Sequence, residues 1–359
     1  MSRIEQRVDR LRERLAKNSL HGILVTNLAN VQYLSGFTGT AGTCLILMDK
    51  AYFISDGRYL IQSEEQVKGM HIVIGREPHP EIIKNNGLIP NGLSLGFEGD
   101  HLVVGRMNQI EEFFPGCQWI STSRFVEELA AVKDETELGA IRSAVEITDK
   151  TFEQIVPELR PGATERGIAS KISYLYKMLG AQGDAFDPIV AAGPNSALPH
   201  AVPTDREFQA GDFVILDFGA RYGGYCADMT RTVVIGNATD RHREVYDVVR
   251  EAQSRGCEAA TDGISCRELD SATRDYITEK GYEEFFVHNT GHGLGREVHT
   301  MPRLSQSSKD TLLENYVVTI EPGIYIKDWG GVRIEDDVLI KKDGCEILNR
   351  STKELLILR

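Results

Sequence analysis

The sequence predicts a mixed α/β protein in two parts: a small N-terminal α/β domain over residues 1–125 and a larger C-terminal α+β domain over residues 126–359. Three observations predict it. The chain has 359 residues, 41% of them apolar, which suits two domain-sized cores better than one. Its first third interleaves short apolar runs with helical patterns. Its remainder alternates longer helical patterns with paired strands whose turns carry glycine.

Ile4, Val8, Leu11 and Leu15 recur at spacings of four, three and four, the stripe of an amphipathic helix. The runs Gly22–Thr26, Cys44–Met48 and Tyr52–Ser55 read as strands, and Leu93–Phe114 as a strand and helix. Val126–Leu129 and Lys133–Glu137 are charged and free of Gly and Pro. They predict a helical connection running on through Ile141, Val145 and Phe152, until Pro157 and Pro161 end it. Helices follow at Glu165–Leu179, His242–Thr261 and Cys266–Glu279. Strands are expected at Phe213–Phe218, Tyr225–Ile235, Tyr316–Glu321 and Gly331–Ile340.

The net charge of -13 opposes binding to nucleic acid or anionic lipid. The opening Met-Ser-Arg-Ile-Glu-Gln lacks the apolar stretch of a signal peptide, and no run of 18 apolar residues occurs. A cytoplasmic protein without a membrane partner is expected. Cysteines 44, 117, 226, 257, 266 and 345 form no Cys-x-x-Cys pair and read as reduced structural thiols.

Acids stand inside the predicted strands. Asp217 follows the apolar run Phe213-Val214-Ile215-Leu216, and a lone buried charge needs a partner. The turn Arg221-Tyr222-Gly223-Gly224 leads to Ala227-Asp228-Met229-Thr230. A symmetric hairpin about that turn sets Asp217 opposite Asp228, with Cβ atoms roughly 5 Å apart. Like charges so placed destabilise a sheet, whereas a cation between them reverses the sign. One protonated Asp, or pairing with Arg221 or Arg231, accounts for this pair equally well. The second hairpin repeats the pattern. Glu321 ends Tyr316–Ile320 ahead of Pro322, which holds it extended. Beyond Lys327-Asp328-Trp329-Gly330-Gly331, Glu335 takes a near-mirror position, and its alternation with Val332, Ile334 and Val338 predicts one buried face.

His288, His292 and His299 fall in one stretch whose Gly291, Gly293 and Gly295 oppose a helix. A single such histidine is usually structural; three among small neighbours favour a site. His200 ends a Gly/Pro/Asn loop, a weaker signal. Four carboxylates and an imidazole form a hard ligand set suited to Mn, Co, Fe or Zn. Their charge balances two divalent cations, which in dinuclear sites stand about 3.5–4 Å apart, activate a shared water and polarise a carbonyl. That chemistry is hydrolysis, with a glutamate able to shuttle the proton.

These residues resemble the pita-bread metallopeptidases, in the Xaa-Pro dipeptidase (prolidase) and aminopeptidase P branch. The carrying motifs are Leu216-Asp217-Phe218-Gly219-Ala220 with Tyr225-Cys226-Ala227-Asp228-Met229-Thr230-Arg231-Thr232, then Thr290-Gly291-His292-Gly293-Leu294-Gly295, Ile320-Glu321-Pro322-Gly323-Ile324-Tyr325 and Val332-Arg333-Ile334-Glu335-Asp336. Tyr33-Leu34-Ser35-Gly36-Phe37 and Asp56-Gly57-Arg58-Tyr59 resemble that branch's smaller domain. The resemblance implies a creatinase/prolidase-like N-terminal domain and a pita-bread catalytic domain. It implies two divalent ions per chain, manganese first and cobalt, zinc or iron as alternatives, on Asp217, Asp228, His292, Glu321 and Glu335. Asp228 and Glu335 would bridge the ions, and Glu321 would double as the proton shuttle. His200, His288 and His299 would contact the substrate, and Arg333 a carboxylate ligand or the substrate. The implied reaction is attack of a metal-bridging hydroxide on the carbonyl before proline in short peptides, by a homodimer. Thr300 departs from the acid common at that place in the family, which bears on substrate preference. A creatinase-like hydrolase without metals and an inactive binding protein on the same fold are the alternatives; both would be expected to lack ligands that are present here.

Overall fold

The computed structural model describes residues 2–359. The chain divides into two compact units, one reaching to Ala130 and the other spanning Ala131–Arg359.

The first unit is a six-stranded mixed sheet in the order His71–Gly75, Ala51–Asp56, Thr43–Leu47, Gly22–Val25, Ser94–Glu98, Gln118–Thr122. Its central strands are apolar throughout because both faces are covered. Ile23, Val25, Cys44, Ile46 and Phe53 join one buried cluster with Leu11 and Leu15 of the helix Arg3–Lys17. The intervening Leu24, Leu45, Leu47 and Ile54 join another with Ile82, Ile83 and Ile110. The first helix begins at Ser2, whose side chain and that of Glu5 form a capping box.

The connection is interrupted where an unbroken helix was expected. A short helix, Glu127–Ala131, ends, and the long helix Glu135–Ile155 starts afresh. Asp134 accepts from the backbone N–H of Thr136 and Glu137, while Glu137 accepts from that of Asp134. This Asp-x-x-Glu capping box makes position 134 a start rather than a continuation. The buried Lys133 ammonium donates to the Ala131 carbonyl at 2.9 Å.

In the second unit, two hairpin systems form the inner layer. One four-stranded sheet runs Ile357–Leu358, Met229–Ile235, Phe213–Phe218, Ile189–Ala192. A five-stranded sheet runs Thr300–Leu304, Gly291–Gly293, Val317–Ile320, Asp336–Lys341, Gly344–Ile347. Helices cover their outer faces. Val214, Leu216 and Phe218 pack with Ile147, Phe152, Ile168 and Ile172 from the helices Glu135–Ile155 and Glu165–Met178. Val318, Ile320, Val338 and Ile340 pack with Cys257 and Leu269 from the helices Asp240–Ala259 and Cys266–Glu279. Since successive strand residues face opposite ways, Asp217, Thr319 and Asp337 lie on the faces opposite these packed residues, and Glu321 and Glu335 stand just beyond the strand ends.

The first hairpin corrects the expected register. Asp217 pairs with Thr230, not with Asp228. The turn consists of Gly223 and Gly224 alone, at φ 58° and 78°, because Tyr222 pairs with Tyr225. Two left-handed residues make the tight turn that matches strand twist, and the hairpin centre moves one residue past the expected point. Parity is kept, so Asp228 remains on the same face as Thr230, diagonal to Asp217. The strand expected at Tyr225–Ile235 also breaks, into Tyr225–Cys226 and Met229–Ile235, and Asp228 lies in the gap.

The second hairpin keeps its mirror relation through a similar break. Ile320 pairs with Asp336 and Gly323 with Arg333, so Glu321 and Glu335 occupy corresponding positions. Between them the ladder passes from the five-stranded sheet to a two-stranded one, Gly323–Ile326 with Gly330–Arg333. The acids of both hairpins stand at these discontinuities or beside them.

Candidate metal centre

The two breaks face each other. The Thr230 hydroxyl donates to Glu335 Oε2 at 2.6 Å, and the Asp228 N–H donates to Asp337 Oδ2 at 2.9 Å. His292 enters from the neighbouring strand. Its Nε2 is 3.3 Å from Glu321 Oε1 and 3.7 Å from Asp228 Oδ2. Ligand atoms of Asp228, His292 and Glu335 all lie within 4.8 Å of one another. Asp217 stands against the Arg333 guanidinium and is an electrostatic neighbour of Asp228, Glu321 and Glu335. The alternative partners named for this Asp pair are occupied elsewhere. Arg231 pairs with Asp336, and Arg221 donates to the Arg296 carbonyl.

Glycines allow His292 to come this close. A Cβ on Gly291 would stand 2.0 Å from the Thr319 carbonyl oxygen, and one on Gly293 2.0 Å from that of Met301. Both neighbours of His292 are thus pressed against adjacent strands. His292 Nδ1 lies 3.1 Å from the Gly293 carbonyl. That contact assigns the ring proton to Nδ1 and leaves Nε2 as a lone pair aimed at the carboxylates.

Burial and mutual repulsion dominate the electrostatics. Burial, then Glu335 and Asp217, push Asp228 well above the carboxylate range. Burial, then Glu321 and Asp217, do the same to Glu335. Burial pushes Glu321 up to about 8, with Arg333 opposing and Asp217 adding. Burial and the neighbouring His299 bring His292 down to about 4. Asp336, pointing the other way, moves oppositely: Arg231 and Lys353 outweigh its burial and hold it below the usual range. A site that disfavours its own negative charge calls for a cation. Asp217 Oδ1 and Asp228 Oδ1 are also buried without a hydrogen-bond partner, and buried polar atoms rarely stay unsatisfied. The residues therefore fit divalent metal.

The remaining predicted residues surround this group. Arg333 donates to Asp217, to the Tyr325 hydroxyl at 2.7 Å, to the Thr230 hydroxyl at 3.1 Å and to the Pro199 carbonyl at 3.2 Å. His288 Nε2 lies 2.8 Å from the same Tyr325 hydroxyl; burial and Arg333 bring its pKa down to about 3. His299 is exposed, with its ring centroid 4.4 Å from that of His292. His200 is an exposed residue of the loop held through Pro199, and an electrostatic neighbour of His288 and His299. Sequence reasoning missed Thr230, Thr319 and Tyr325. Thr319 donates to Glu321 at 3.1 Å. Thr319 and Thr230 each lie two residues from an acid along the chain, a spacing that shares a strand face and could have flagged them.

Known proteins share the sequence and fold of this chain. Residues 139–342 match metallopeptidase family M24, and residues 7–132 match the creatinase/prolidase N-terminal domain. A solved Xaa-Pro dipeptidase from Bacillus anthracis is 42% identical, with a TM-score of 0.95, covering 99% of this chain and 100% of that one. The Xaa-Pro dipeptidase of Pyrococcus furiosus is 37% identical over 98% of this chain and 100% of its own length. A solved X-Pro aminopeptidase from Thermotoga maritima is also 37% identical, with a TM-score of 0.88, covering 95% of this chain and 98% of that one.

Proposed function

Because the chain belongs to metallopeptidase family M24, with a creatinase/prolidase N-terminal domain ahead of the peptidase part, we propose that it is a dinuclear-metal exopeptidase cleaving the Xaa-Pro bond of short peptides. The observation that carries this reading is the convergence of Asp217, Asp228, His292, Glu321 and Glu335, with orphaned oxygens on both aspartates. The catalytic domain is residues 126–359, behind an N-terminal domain of residues 1–125. These five side chains would hold two divalent ions, manganese first and cobalt, zinc or iron as alternatives. Asp228 and Glu335, nearest the middle of the group, would be the ligands shared between them. When bound, such ions supply an activated water and polarise the scissile carbonyl.

The chain's own residues do the rest. Glu321, at the edge of the group and held by the Thr319 hydroxyl, would carry a proton from the attacking water to the leaving nitrogen. Thr319 and Thr230 orient the Glu321 and Glu335 carboxylates through their hydroxyls. Arg333 fixes Asp217 and, through Tyr325, the neutral ring of His288. His200, His288 and His299 line the substrate's approach, and His200 and His299 donate to its oxygen atoms, whereas the single N–H of His288 is given to the Asn289 carbonyl. The proline preference rests on the relatives named for it. The enzyme works as a homodimer in the cytosol, a compartment that suits six cysteines with no Cys-x-x-Cys pair among them. Among the described residues, no helix is long and apolar enough to cross a membrane.

The deciding experiment compares a Xaa-Pro dipeptide with a longer Xaa-Pro-Xaa peptide, using protein reconstituted with Mn²⁺ or Co²⁺. Hydrolysis at the bond before proline, abolished by chelator, is expected. The ratio of the two rates separates dipeptidase from aminopeptidase P behaviour. Fully metallated protein that leaves both peptides intact refutes the reading.

A further inference from the structure

Glu335 is gripped from one adjacent pair of residues. Its N–H donates to the Thr230 carbonyl at 3.1 Å, and its Oε2 accepts from the Thr230 hydroxyl at 2.6 Å. Its own carbonyl accepts from Arg231 Nη1 at 2.5 Å. Arg231 is 1% exposed, and each of its nitrogens donates to more than one acceptor. Nε reaches the Ser351 and Thr352 carbonyls at 3.3 and 3.0 Å. Nη1 also reaches the Thr230 carbonyl at 3.0 Å, and Nη2 reaches Asp336 Oδ1 at 2.7 Å and the Ser351 carbonyl at 2.8 Å.

Asp336 is fully buried and points to the face opposite Glu335, as strand alternation requires. Its Oδ2 accepts from Lys353 Nζ at 2.6 Å and from Gln253 Nε2 at 2.9 Å. The chain between is pinned as well. Asp149 accepts from the N–H groups of Arg350 and Ser351 at 2.8 and 3.0 Å, and Asn349 accepts from the Asp337 N–H at 2.7 Å.

A buried ion pair of this kind adds little net stability, since desolvation offsets the attraction, and apolar residues of similar volume often do as well. Apolar residues could not hold the Glu335 carbonyl, the Ser351 and Thr352 carbonyls and Asp336 at once. The arrangement serves geometry. We propose that Arg231, Asp336 and Lys353 are positioning residues through which the C-terminal segment Ser351–Lys353 sets the placement of the Glu335 carboxylate, and with it the affinity of the metal centre. This rests on the reading of Glu335 as a metal ligand.

The test is calorimetric titration of chelator-stripped, full-length protein with MnCl₂, with circular dichroism on the same samples. Arg231→Lys keeps the charge but loses the fork; Lys353→Met keeps the bulk but loses the charge. Both should retain the wild-type spectrum and bind Mn²⁺ about 10–100-fold more weakly, the range for residues behind a metal ligand. Lys353→Arg should restore most of the loss. Lys353 has a side chain 27% exposed, so its variants decide the matter should Arg231→Lys fail to fold. Folded Lys353→Met that binds Mn²⁺ as tightly as wild type overturns the clamp and leaves the metal centre standing. Wild-type protein that takes up no Mn²⁺, Co²⁺ or Zn²⁺ overturns the metal centre and the clamp with it.

Discussion

Raising the pH should destabilise the metal-free catalytic unit, and one substitution should blunt the effect. Burial, with Arg333 opposing and Asp217 adding, carries Glu321 from an ordinary 4.5 to about 8. Between those values the folded state holds a proton that the unfolded chain has released, so stability falls as pH rises. The contribution of this carboxyl is complete below pH 4.5 and lost as the pH passes through about 8. At about 1.36 kcal/mol per pH unit, the full window is worth roughly 4–5 kcal/mol. For a unit of this size that is about 10–20 °C in Tm. Asp228 and Glu335 are displaced the same way, so they steepen the slope. Glu321→Gln removes only its own share. The assay is calorimetric melting of chelator-treated protein at mildly acidic and mildly alkaline pH, repeated with Mn²⁺. Bound cations neutralise the carboxylates, so the metal-loaded Tm should be nearly level across the same range. A metal-free Tm that stays flat or rises with pH refutes the reasoning, as does a Glu321→Gln protein with the full wild-type slope.

Asp228→Asn should abolish peptide hydrolysis while raising the metal-free Tm at neutral pH, because an amide is buried without the proton uptake that the raised carboxyl requires on folding; wild-type turnover in that variant would sink its assignment as a ligand. Gly291→Ala places a Cβ 2.0 Å from the Thr319 carbonyl oxygen. It should cost about 1–3 kcal/mol, as overpacking does, and weaken metal uptake by moving His292. An unchanged urea midpoint would contradict the close approach. Arg333→Lys retains the charge but not the simultaneous contacts with Asp217, Tyr325 and Thr230. We expect kcat/KM to fall about 10–100-fold. Kinetics equal to wild type would show that the guanidinium geometry is dispensable.

Much of the architecture was legible because its signals are local. The stripe Val8, Leu11 and Leu15 is buried in the helix Arg3–Lys17, and the apolar runs of the first unit became strands covered on both faces. The break at Asp134 was equally local: Asp134 and Glu137 spell a capping box, and an expectation built on charge and the absence of proline passed over it. The hairpin register was misplaced by the turn. Gly223 and Gly224 both adopt positive φ, and only a two-residue turn centred on them gives the observed pairing. The strands expected at Tyr225–Ile235 and Gly331–Ile340 each break beside an acid, and nothing in their apolar alternation announces the break.

The sequence by itself determined which residue types stand at which parity: acids on the strand face opposite the helix-packing residues, and a histidine between glycines. Those are properties of period two and of backbone bulk, carried within a few residues. Tertiary structure decided partnership. Thr230 rather than Asp228 opposes Asp217, Arg333 rather than Arg221 or Arg231 pairs with it, and Arg231 instead ties together Glu335 and Ser351, each more than a hundred residues from it along the chain. Which charge meets which depends on how two hairpins and the C-terminal segment close over one another. That closure is set by burial summed over the whole unit, and no local pattern encodes it.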